Sequence, residues 1–353
     1  MDASLKALPL RRYRPRSMIR APQHEIARAR VPAIDAHNHL GRWLSDEGGW
    51  VVADVDELLG SLDASNVAAI VNLDGRWGDE LEANLDRYDR AHPGRFATFC
   101  HLDWGEAAHH DFPRRLVASL ERSAAAGAKG LKVWKDLGLH VRDDRGALLL
   151  PDDTRLADAW DAAGELGLPV AIHTADPVAF FEPVDATNER LEELLENPDW
   201  SFSDPDRFPR FERLIDALES VVSSHPRTTF IGVHAGNCAE DLGRVHDMLD
   251  RYPNYHIDIA ARIAELGRQP RASGRLVRRH PDRVLFGTDA FPPDPAVYAI
   301  SFRFLETDDE SFPYSDEEIP PQGRWDISGL GLSEAVLADV YASNARRLIP
   351  GLA

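Results

Sequence analysis

The sequence predicts an α/β protein folded as a (β/α)8 TIM barrel, and three observations support this. Eight short apolar runs alternate with amphipathic stretches of helical period along the 353 residues, as expected for successive βα units. Most runs are nearly continuous in Val, Ile, Leu or Phe, which is typical of parallel strands buried on both faces. Polar residues collect where the runs end, and a barrel of this kind builds its active site at the C-terminal ends of its strands.

The predicted strands and helices alternate from residue 33 to the C-terminal region. The strands are Ala33–Leu40, Ala68–Asp74, Phe96–Asp103, Gly130–Lys135, Pro169–Thr174, Thr228–His234, Tyr255–Ala261 and Val284–Asp289. The helices between them are Val55–Ser65, Glu80–His92, Arg114–Ala126, Arg155–Leu166, Phe211–Ser224, Glu240–Arg251 and Arg268–His280. A last helix, Ser333–Leu348, follows the eighth strand.

The first predicted strand carries the most informative pair of residues in the chain. His37 and His39 lie two positions apart, so they project from the same face of a strand. Leu40 and Gly41 follow at once, which places both imidazoles at the C-terminal end of the strand. Two neutral imidazoles at this spacing suit a transition metal such as zinc, with His–metal bonds of about 2.0–2.1 Å.

At the ends of the other predicted strands lie residues of types that can bind a metal, a proton or an anion. The strand-end residues are Asp74, Asp103, Lys132, Lys135, His173, His234, Arg262 and Asp289. The remaining histidines, His101 among them, are off these positions, and we expect them to be solvated or to cap helices.

Four motifs in order carry a family resemblance that spans about residues 31–350. They are Asp-Ala-His-Asn-His at 35–39, Ala-Ile-His-Thr at 171–174, Phe-Ile-Gly-Val-His-Ala-Gly-Asn at 230–237 and Leu-Phe-Gly-Thr-Asp at 285–289, and the helix at 341–348 closes the series. Together they resemble the amidohydrolase superfamily, and within it the amidohydrolase-2 branch that also holds aminocarboxymuconate-semialdehyde decarboxylase-like enzymes.

The resemblance implies a site that holds one divalent metal. By this likeness His37, His39, His173 and Asp289 are the metal ligands, with zinc expected and manganese as the alternative. Asp289 and His234 are the implied catalytic residues, with His234 beside the metal as an acid, a base or a group that polarises the substrate. A metal of this kind lowers the pKa of a bound water from 15.7 to about 7, which makes hydroxide available at neutral pH.

These features predict a metal-dependent hydrolase acting on a C–O or C–N acyl bond of a small organic substrate. The alternative is a non-oxidative decarboxylase of a small unsaturated or aromatic acid, because the branch contains both kinds of enzyme. A third hypothesis is a non-catalytic barrel used for binding. The intact set of ligand residues argues against it, since a scaffold has no need of every ligand.

Lys132 and Arg262 are the predicted substrate-binding residues. Lys132 either pairs with an anionic substrate or a site aspartate, carries a carboxylate that bridges two metals, or lies at the rim. Arg262 either grips a carboxylate through its planar guanidinium or forms an ordinary ion pair with Asp258 or Glu265. A decarboxylase needs cations to hold its substrate, and Arg303 is a third candidate.

The composition of the chain limits the kinds of partner it is expected to bind and the cellular compartment that suits it. The net charge of −19 argues against nucleic acid and anionic membranes, so we expect a small-molecule substrate, one that is anionic if Lys132 and Arg262 bind it. There are two cysteines, as expected for a reducing cytoplasm. The chain has no run of about 18 apolar residues that could span a membrane.

Three segments lie outside the repeating βα pattern. Residues 1–30 are predicted to form an irregular arm that wraps the barrel, which comprises residues 31–353, or contacts a second subunit in a homodimer. Insertions at about 175–210 and 290–331 are rich in aromatic residues. Because both leave C-terminal strand ends, we expect them to wall the site, and the alternative is that their aromatics pack outside the barrel or form an interface between subunits.

Overall fold

In the computed structural model, which describes residues 3–9, 12–13, 15–45 and 48–352, eight parallel strands form the centre of the fold. They are β1 (Ala33–Asn38), β2 (Val67–Asn72), β3 (Phe96–Thr98), β4 (Leu131–Val133), β5 (Val170–Ile172), β6 (Phe230–Gly232), β7 (Tyr255–Asp258) and β8 (Val284–Leu285). Every residue of these strands is buried except Ala68, which explains their nearly continuous apolar sequences.

The strands pair in chain order as β1–β2–β3 and β4 through β8. Backbone hydrogen bonds cross both seams between these two sheets. At one seam Cys100 N–H donates to Gly130 O at 2.9 Å, and at the other Ala36 N–H donates to Phe286 O at 2.9 Å. The predicted barrel is therefore present, with all eight strands ending at one rim.

Helices surround the strands and bury one face each. They are Val55–Ser65, Gly78–Leu85, Phe112–Ala126, Ala157–Glu165, Phe211–Ser224, Leu242–Arg251, Ile263–Arg268, Pro270–Arg279, Glu334–Ala338 and Asn344–Leu348. The helix Val55–Ser65 begins where the Asp54 carboxylate accepts from two backbone N–H groups and ends at Asn66, whose φ is 62°; both are usual helix-end devices. The helix Phe211–Ser224 buries Leu214, Leu218 and Val221, which recur at helical spacing.

Several predicted strands are too long at their C-terminal ends. The first was expected to reach Leu40 and the eighth Asp289, but β1 ends at Asn38 and β8 at Leu285. The chain leaves the ladder there because its polar groups bind elsewhere. For example, Thr288 N–H donates to the Asp35 carboxylate at 3.0 Å. The predicted helix Arg268–His280 is likewise preceded by a separate helix, Ile263–Arg268.

The insertion at 175–210 lies at the rim where the strands end. It contains the short helix Leu191–Glu196 and 3-10 turns at Val178–Phe181 and Pro198–Trp200. Phe180 and Trp200 stack with ring centroids 6.0 Å apart, and both line the cavity at the rim. This segment walls the site as predicted.

The insertion at 290–331 is divided between the rim and the outside of the barrel. It contains the helix Pro295–Glu306 and an antiparallel pair, β9 (Phe312–Pro313) and β10 (Asp326–Ile327). Phe302 is buried and packs on Phe286 and Tyr341, with ring centroids 5.6 Å away in each case. Phe291 and Gln322 instead line the cavity, so only part of this segment walls the site.

Part of the arm contacts this second insertion, and Arg28 and Ala29 contact the end of the helix Val55–Ser65. His24 N–H donates to the Asp309 carboxylate at 2.7 Å, and Arg30 N–H donates to Glu306 at 2.9 Å. Contact with a second subunit stays a prediction. Among the described residues, none of the helices is both long and apolar enough to cross a membrane.

Candidate metal centre and active-site cavity

The ends of β6, β7 and β8 turn sharply into the rim of the barrel. His234, Ala261 and Asp289 have φ angles of 57°, 53° and 60°, a left-handed conformation that is uncommon for residues other than glycine. Hydrogen bonds hold two of these turns: His234 N–H donates to Asp258 at 2.8 Å and Asp289 N–H donates to His37 O at 2.8 Å. Strained backbone of this kind is found at functional sites.

Three of the predicted ligands converge at this rim. Asp289 Oδ1 lies 3.6 Å from His37 Nε2 and 3.2 Å from His39 Nε2. All three ligand atoms lie within 4.8 Å of one another. His37 and His39 are buried, and the Asp289 side chain is 20% exposed. The histidine pair of the first strand and the aspartate after the eighth strand therefore lie close together, and their role as metal ligands stays a prediction.

Asp258, on β7, orients this group, although it was weighed only as an ion-pair partner of Arg262. Its Oδ2 lies 2.8 Å from His37 Nδ1, and its Oδ1 accepts from His234 N–H. Because a carboxylate accepts, the proton of His37 is on Nδ1 and its Nε2 lone pair faces the site, an arrangement typical of metal-bound histidines. The signal was an acid between Ile257 and Ile259 in a buried strand.

His234 faces the same centre from β6. Its Nδ1 donates to Ala260 O at 2.9 Å, so its Nε2 is free to accept or carry a proton. Nε2 lies 3.9 Å from Asp289 Oδ2, and the ring centroid is 4.7 Å from that of His37. His234 is thus placed to exchange protons with a molecule held beside Asp289.

His173 lies on the neighbouring wall, and its ring centroid is 4.6 Å from that of His234. Its Nε2 lies 3.3 Å from Asp176 Oδ1, and Asp176 Oδ2 accepts from Lys135 at 2.6 Å. Among the described residues, His173 is not in the group of ligand atoms formed by His37, His39 and Asp289. The partner role of Asp176 was missed, because it lies in a loop beyond the predicted strand.

Lys132 and Arg262 line the cavity beside these residues. Lys132 Nζ lies 3.3 Å from His37 Nε2. Arg262 donates to Ala261 O at 2.8 Å, and no carboxylate of the described residues forms an ion pair with it. Its expected alternative partners are engaged elsewhere: Asp258 with His37 and Glu265 with Arg190. Arg303 is not at this site, because it pairs with Asp309 and lies over the Phe312 ring.

Burial and charge keep these residues in the protonation states that a cation site needs. Burial lowers the pKa of His39 and of His173 to about 4 and that of His234 well below its ordinary value, so these three imidazoles are neutral. Burial opposes ionisation of Asp289, but His37, His39 and Lys132 hold its pKa well below the usual range. Burial lowers the pKa of Lys132 to about 8, a shift limited by Asp289 and Asp258.

The donor set fits a divalent metal. The Nε2 atoms of His37 and His39 both face the anionic Asp289 Oδ1. A divalent cation among these three atoms would stabilise them in a dry site, in place of the Lys132 ammonium that now lies 3.3 Å from His37 Nε2. Neutral imidazoles with a carboxylate are ordinary ligands of zinc, and they also suit other first-row metals.

The cavity above these residues has a volume of about 360 Å³, enough for a small organic molecule. Aromatic side chains form much of its wall, and a buried ion-pair group lies behind them. Arg190 Nη1 lies 3.2 Å from Glu193 and its Nη2 3.1 Å from Glu265. These contacts were not predicted, since the first insertion gave no motif. The aromatic lining residues are Trp134, Phe180, Trp200 and Phe291.

The sequence model of the amidohydrolase family, in its amidohydrolase-2 branch, matches residues 34–351. The chain belongs to this family. The match covers nearly the whole chain, so it includes every predicted ligand and both predicted catalytic residues. No curated protein matches the sequence of this chain.

Several solved structures share the fold of this member of the amidohydrolase family at low sequence identity. A 2,6-dihydroxybenzoate decarboxylase complexed with 2,6-dihydroxybenzoate is 18% identical, with a TM-score of 0.57 over 90% of this chain and 99% of its own. A dihydroxybenzoic acid decarboxylase from Polaromonas sp. JS666, with bound manganese and the inhibitor 2-nitroresorcinol, is 16% identical, with a TM-score of 0.56 over 90% and 96%. A putative amidohydrolase from Staphylococcus aureus is 15% identical, with a TM-score of 0.57 over 90% and 99%.

Proposed function

We propose that this amidohydrolase-family protein is a metal-dependent decarboxylase of a small aromatic acid, the second of the two reactions that its sequence predicts. One observation carries the proposal: Lys132 and Arg262 line the same aromatic-walled cavity as the predicted ligands. Two cations beside aromatic side chains suit a flat anion, because guanidinium and ammonium groups bind carboxylates. The two decarboxylases that share this fold show that the barrel can host such a reaction.

We assign the metal to His37, His39 and Asp289, with His173 as the fourth ligand. When bound, a divalent metal supplies positive charge that fixes substrate oxygens. Zinc and manganese both suit these donors, and manganese is the metal in one structure of the same fold. His173 would act as a ligand only if its Nε2 gave up its contact with Asp176 Oδ1 and turned toward the metal.

The residues around the substrate divide the remaining work. Lys132 and Arg262 attract and orient the acid. One ring carbon takes a proton, its bond to the carboxyl carbon breaks, the electron pair stays on the ring, and CO₂ leaves. We assign delivery of that proton to Asp289. Because its carboxylate is ionised at rest, it first takes up a proton supplied by water, and a carboxyl of low pKa is then a strong acid toward the ring carbon. His234 Nε2, 3.9 Å from Asp289 Oδ2, hydrogen-bonds the substrate and passes the proton.

Hydrolysis of an acyl bond is the second candidate, and the pairing of Asp289 with His234 favours it. In that reaction Asp289 would accept the proton of the attacking water, and His234 would donate to the leaving group. The two reactions use the same residues but differ in their substrates and products.

The test is an activity screen of protein reconstituted separately with zinc and with manganese. Hydroxybenzoates, lactones and amides are supplied as parallel panels, and CO₂ release and acid production are followed together. We expect CO₂ release from at least one hydroxybenzoate and its loss in Asp289→Asn. Turnover of lactones or amides without any CO₂ release would replace the decarboxylase assignment with the hydrolase.

A further inference from the structure

A second cavity adjoins the one that holds the predicted ligands. It has a volume of about 290 Å³ and lies beyond the C-terminal ends of β2, β3 and β4. Four of the chain's eight tryptophans line it. We call these four residues and Arg76 the tryptophan box; the tryptophans are Trp43, Trp77, Trp104 and Trp134.

The tryptophans of the box differ from those of the core, although Trp104 packs partly against it. All four are only partly buried, and Trp43 is 39% exposed, whereas Trp160, which packs in the core, is 1% exposed. A cluster of partly exposed indoles around an open cavity is typical of a binding site, since such surfaces gain stability when a ligand covers them.

Arg76 supplies the polar group of the tryptophan box. Its guanidinium carbon lies 4.6 Å from the Trp43 ring centre and 4.3 Å from that of Trp77. No carboxylate in the described part of the chain is within ion-pair distance of it. Arg76 also has a φ of 58°, the left-handed conformation seen at the ends of β6, β7 and β8. With its faces covered by indoles, the guanidinium offers its edge N–H groups to an acceptor.

Two acids restrict what that acceptor can be. Asp103 and Asp136 also line the box. Asp103 Oδ1 already accepts from Gly105 N–H at 2.9 Å, but a full negative charge entering the cavity would still be repelled by both carboxylates. A phenol avoids this conflict, because its oxygen accepts from Arg76 while its O–H donates to Asp136.

Trp134 lies between the two cavities and lines both of them. Its ring lies 4.9 Å from that of His39, on the catalytic side, and 4.7 Å from that of Trp43, on the other. Lys132 lines both cavities. His101, expected to be solvated, is instead buried behind this partition, with its Nε2 2.7 Å from Leu73 O. A molecule with one end beside Lys132 can therefore place its other end over Trp134.

We propose that the tryptophan box is a second substrate subsite that binds a hydroxylated aromatic ring, so that the preferred substrate is a two-ring acid. That this ligand is a substrate rests on the proposed function, whereas the existence of the binding site does not depend on the proposed function. In this arrangement the carboxylated ring occupies the cavity of the predicted ligands. The distal phenol ring stacks on the indoles of the box and hydrogen-bonds to Arg76.

The test compares two probes on metal-loaded protein by isothermal titration calorimetry: benzoate and 4′-hydroxybiphenyl-4-carboxylate. We expect wild type to bind the two-ring acid at least about tenfold more tightly, because stacking on the indoles and a hydrogen bond to Arg76 both add to its binding. Equal affinity of wild type for the two probes would overturn the proposal without any mutation.

Single substitutions test whether the tighter binding of the two-ring acid arises in the tryptophan box. Trp43→Ala and Arg76→Ala should each weaken binding of the two-ring acid about tenfold and leave benzoate within about twofold. Trp50→Phe is the control, because Trp50 lies outside both cavities and packs on Tyr88. A parallel loss for both probes, or the same loss in Trp50→Phe, would contradict a second subsite.

The result of this binding test can be distinguished from the result of the activity screen that tests the proposed function. If no acid releases CO₂ but the two probes still bind differently, the subsite stands and the decarboxylase assignment fails. If hydroxybenzoates release CO₂ and the probes bind alike, the assignment stands and the subsite fails.

Discussion

Asp289 and Asp74 both follow barrel strands, β8 and β2, but their surroundings differ in charge. Asp289 lies among His37, His39 and Lys132, which hold its pKa well below the usual range although burial acts in the opposite direction. Asp74 is fully buried, and among the described residues no side chain hydrogen-bonds to it; the backbone N–H groups of Trp43 and Leu44 are its polar neighbours. Burial raises the pKa of Asp74 to about 7.

The difference shows that a strand-end position does not by itself define a role. An acid at the rim becomes an ionised ligand or proton carrier only where the other strands bring cations or imidazoles to it. Asp74 has a cation nearby, Arg76 of its own loop, but burial outweighs that charge and leaves a carboxyl that resists ionisation. The predictions below test this distinction, beginning with the largest expected effect.

The double change His37→Ala/His39→Ala should abolish both metal binding and activity, since two of the three converging ligands are lost. Metal content is measured by elemental analysis after reconstitution. The matched control is His109→Ala/His110→Ala, a pair whose side chains are 54% and 92% exposed. Full metal occupancy in the site variant would show that the first-strand pair does not bind the metal.

Asp289→Asn should lower turnover by about 10³-fold or more, because the amide can neither carry the proton nor share its charge with a metal. Asp74→Asn is the direct comparison, and we expect its turnover to stay within about twofold, since it removes no charge from the site. Steady-state kinetics on both variants decide the matter. Similar losses in the two would mean that Asp74 also takes part in the reaction.

His234→Ala should lower turnover by about 10²–10⁴-fold, the usual range for a lost acid or base, while the metal stays bound. His225→Ala, which removes a histidine paired with Asp161, serves as the control. Turnover and metal content are measured on the same preparations. If metal content collapsed in His234→Ala, this histidine would have to be reassigned as a ligand.

Lys132→Ala should raise KM on the order of tenfold with metal content unchanged at one per chain, since a charge-assisted hydrogen bond contributes about 1.5–3 kcal/mol. Lys129→Ala removes a lysine outside the cavity and should leave KM as in wild type. The measurements are KM and metal stoichiometry. Two metals per chain that drop on mutation of Lys132 would instead support a carboxylated lysine.

Asp74→Asn should change the pH dependence of stability. The pKa of Asp74 is raised on folding, so its protonated form favours the native state below about pH 4, and this contribution is lost as pH rises through about 7. At about 1.4 kcal/mol per pKa unit, the loss is at most about 4 kcal/mol. Urea unfolding between pH 5 and 8 should show a decline in wild type that the variant lacks, and parallel curves would contradict it.

The sequence alone determined the barrel and most of the rim. Strands that are buried on both faces have nearly continuous apolar sequences, so their number and order can be predicted without a structure. The two-residue spacing of His37 and His39 fixes a common face, and the motifs that contain His173, His234 and Asp289 identify their strands. These features are local, because periodicity and strand ends depend on neighbours in the chain.

Only the tertiary structure decided which polar residues meet. Asp258 reaches His37 across 221 positions of sequence, and Asp176 takes up the Nε2 of His173 from the following loop. The two insertions look alike in composition, yet one walls the cavity and much of the other packs outside the barrel. Contacts of this kind depend on how distant elements come together, and burial together with neighbouring charge then sets the opposite pKa shifts of Asp289 and Asp74.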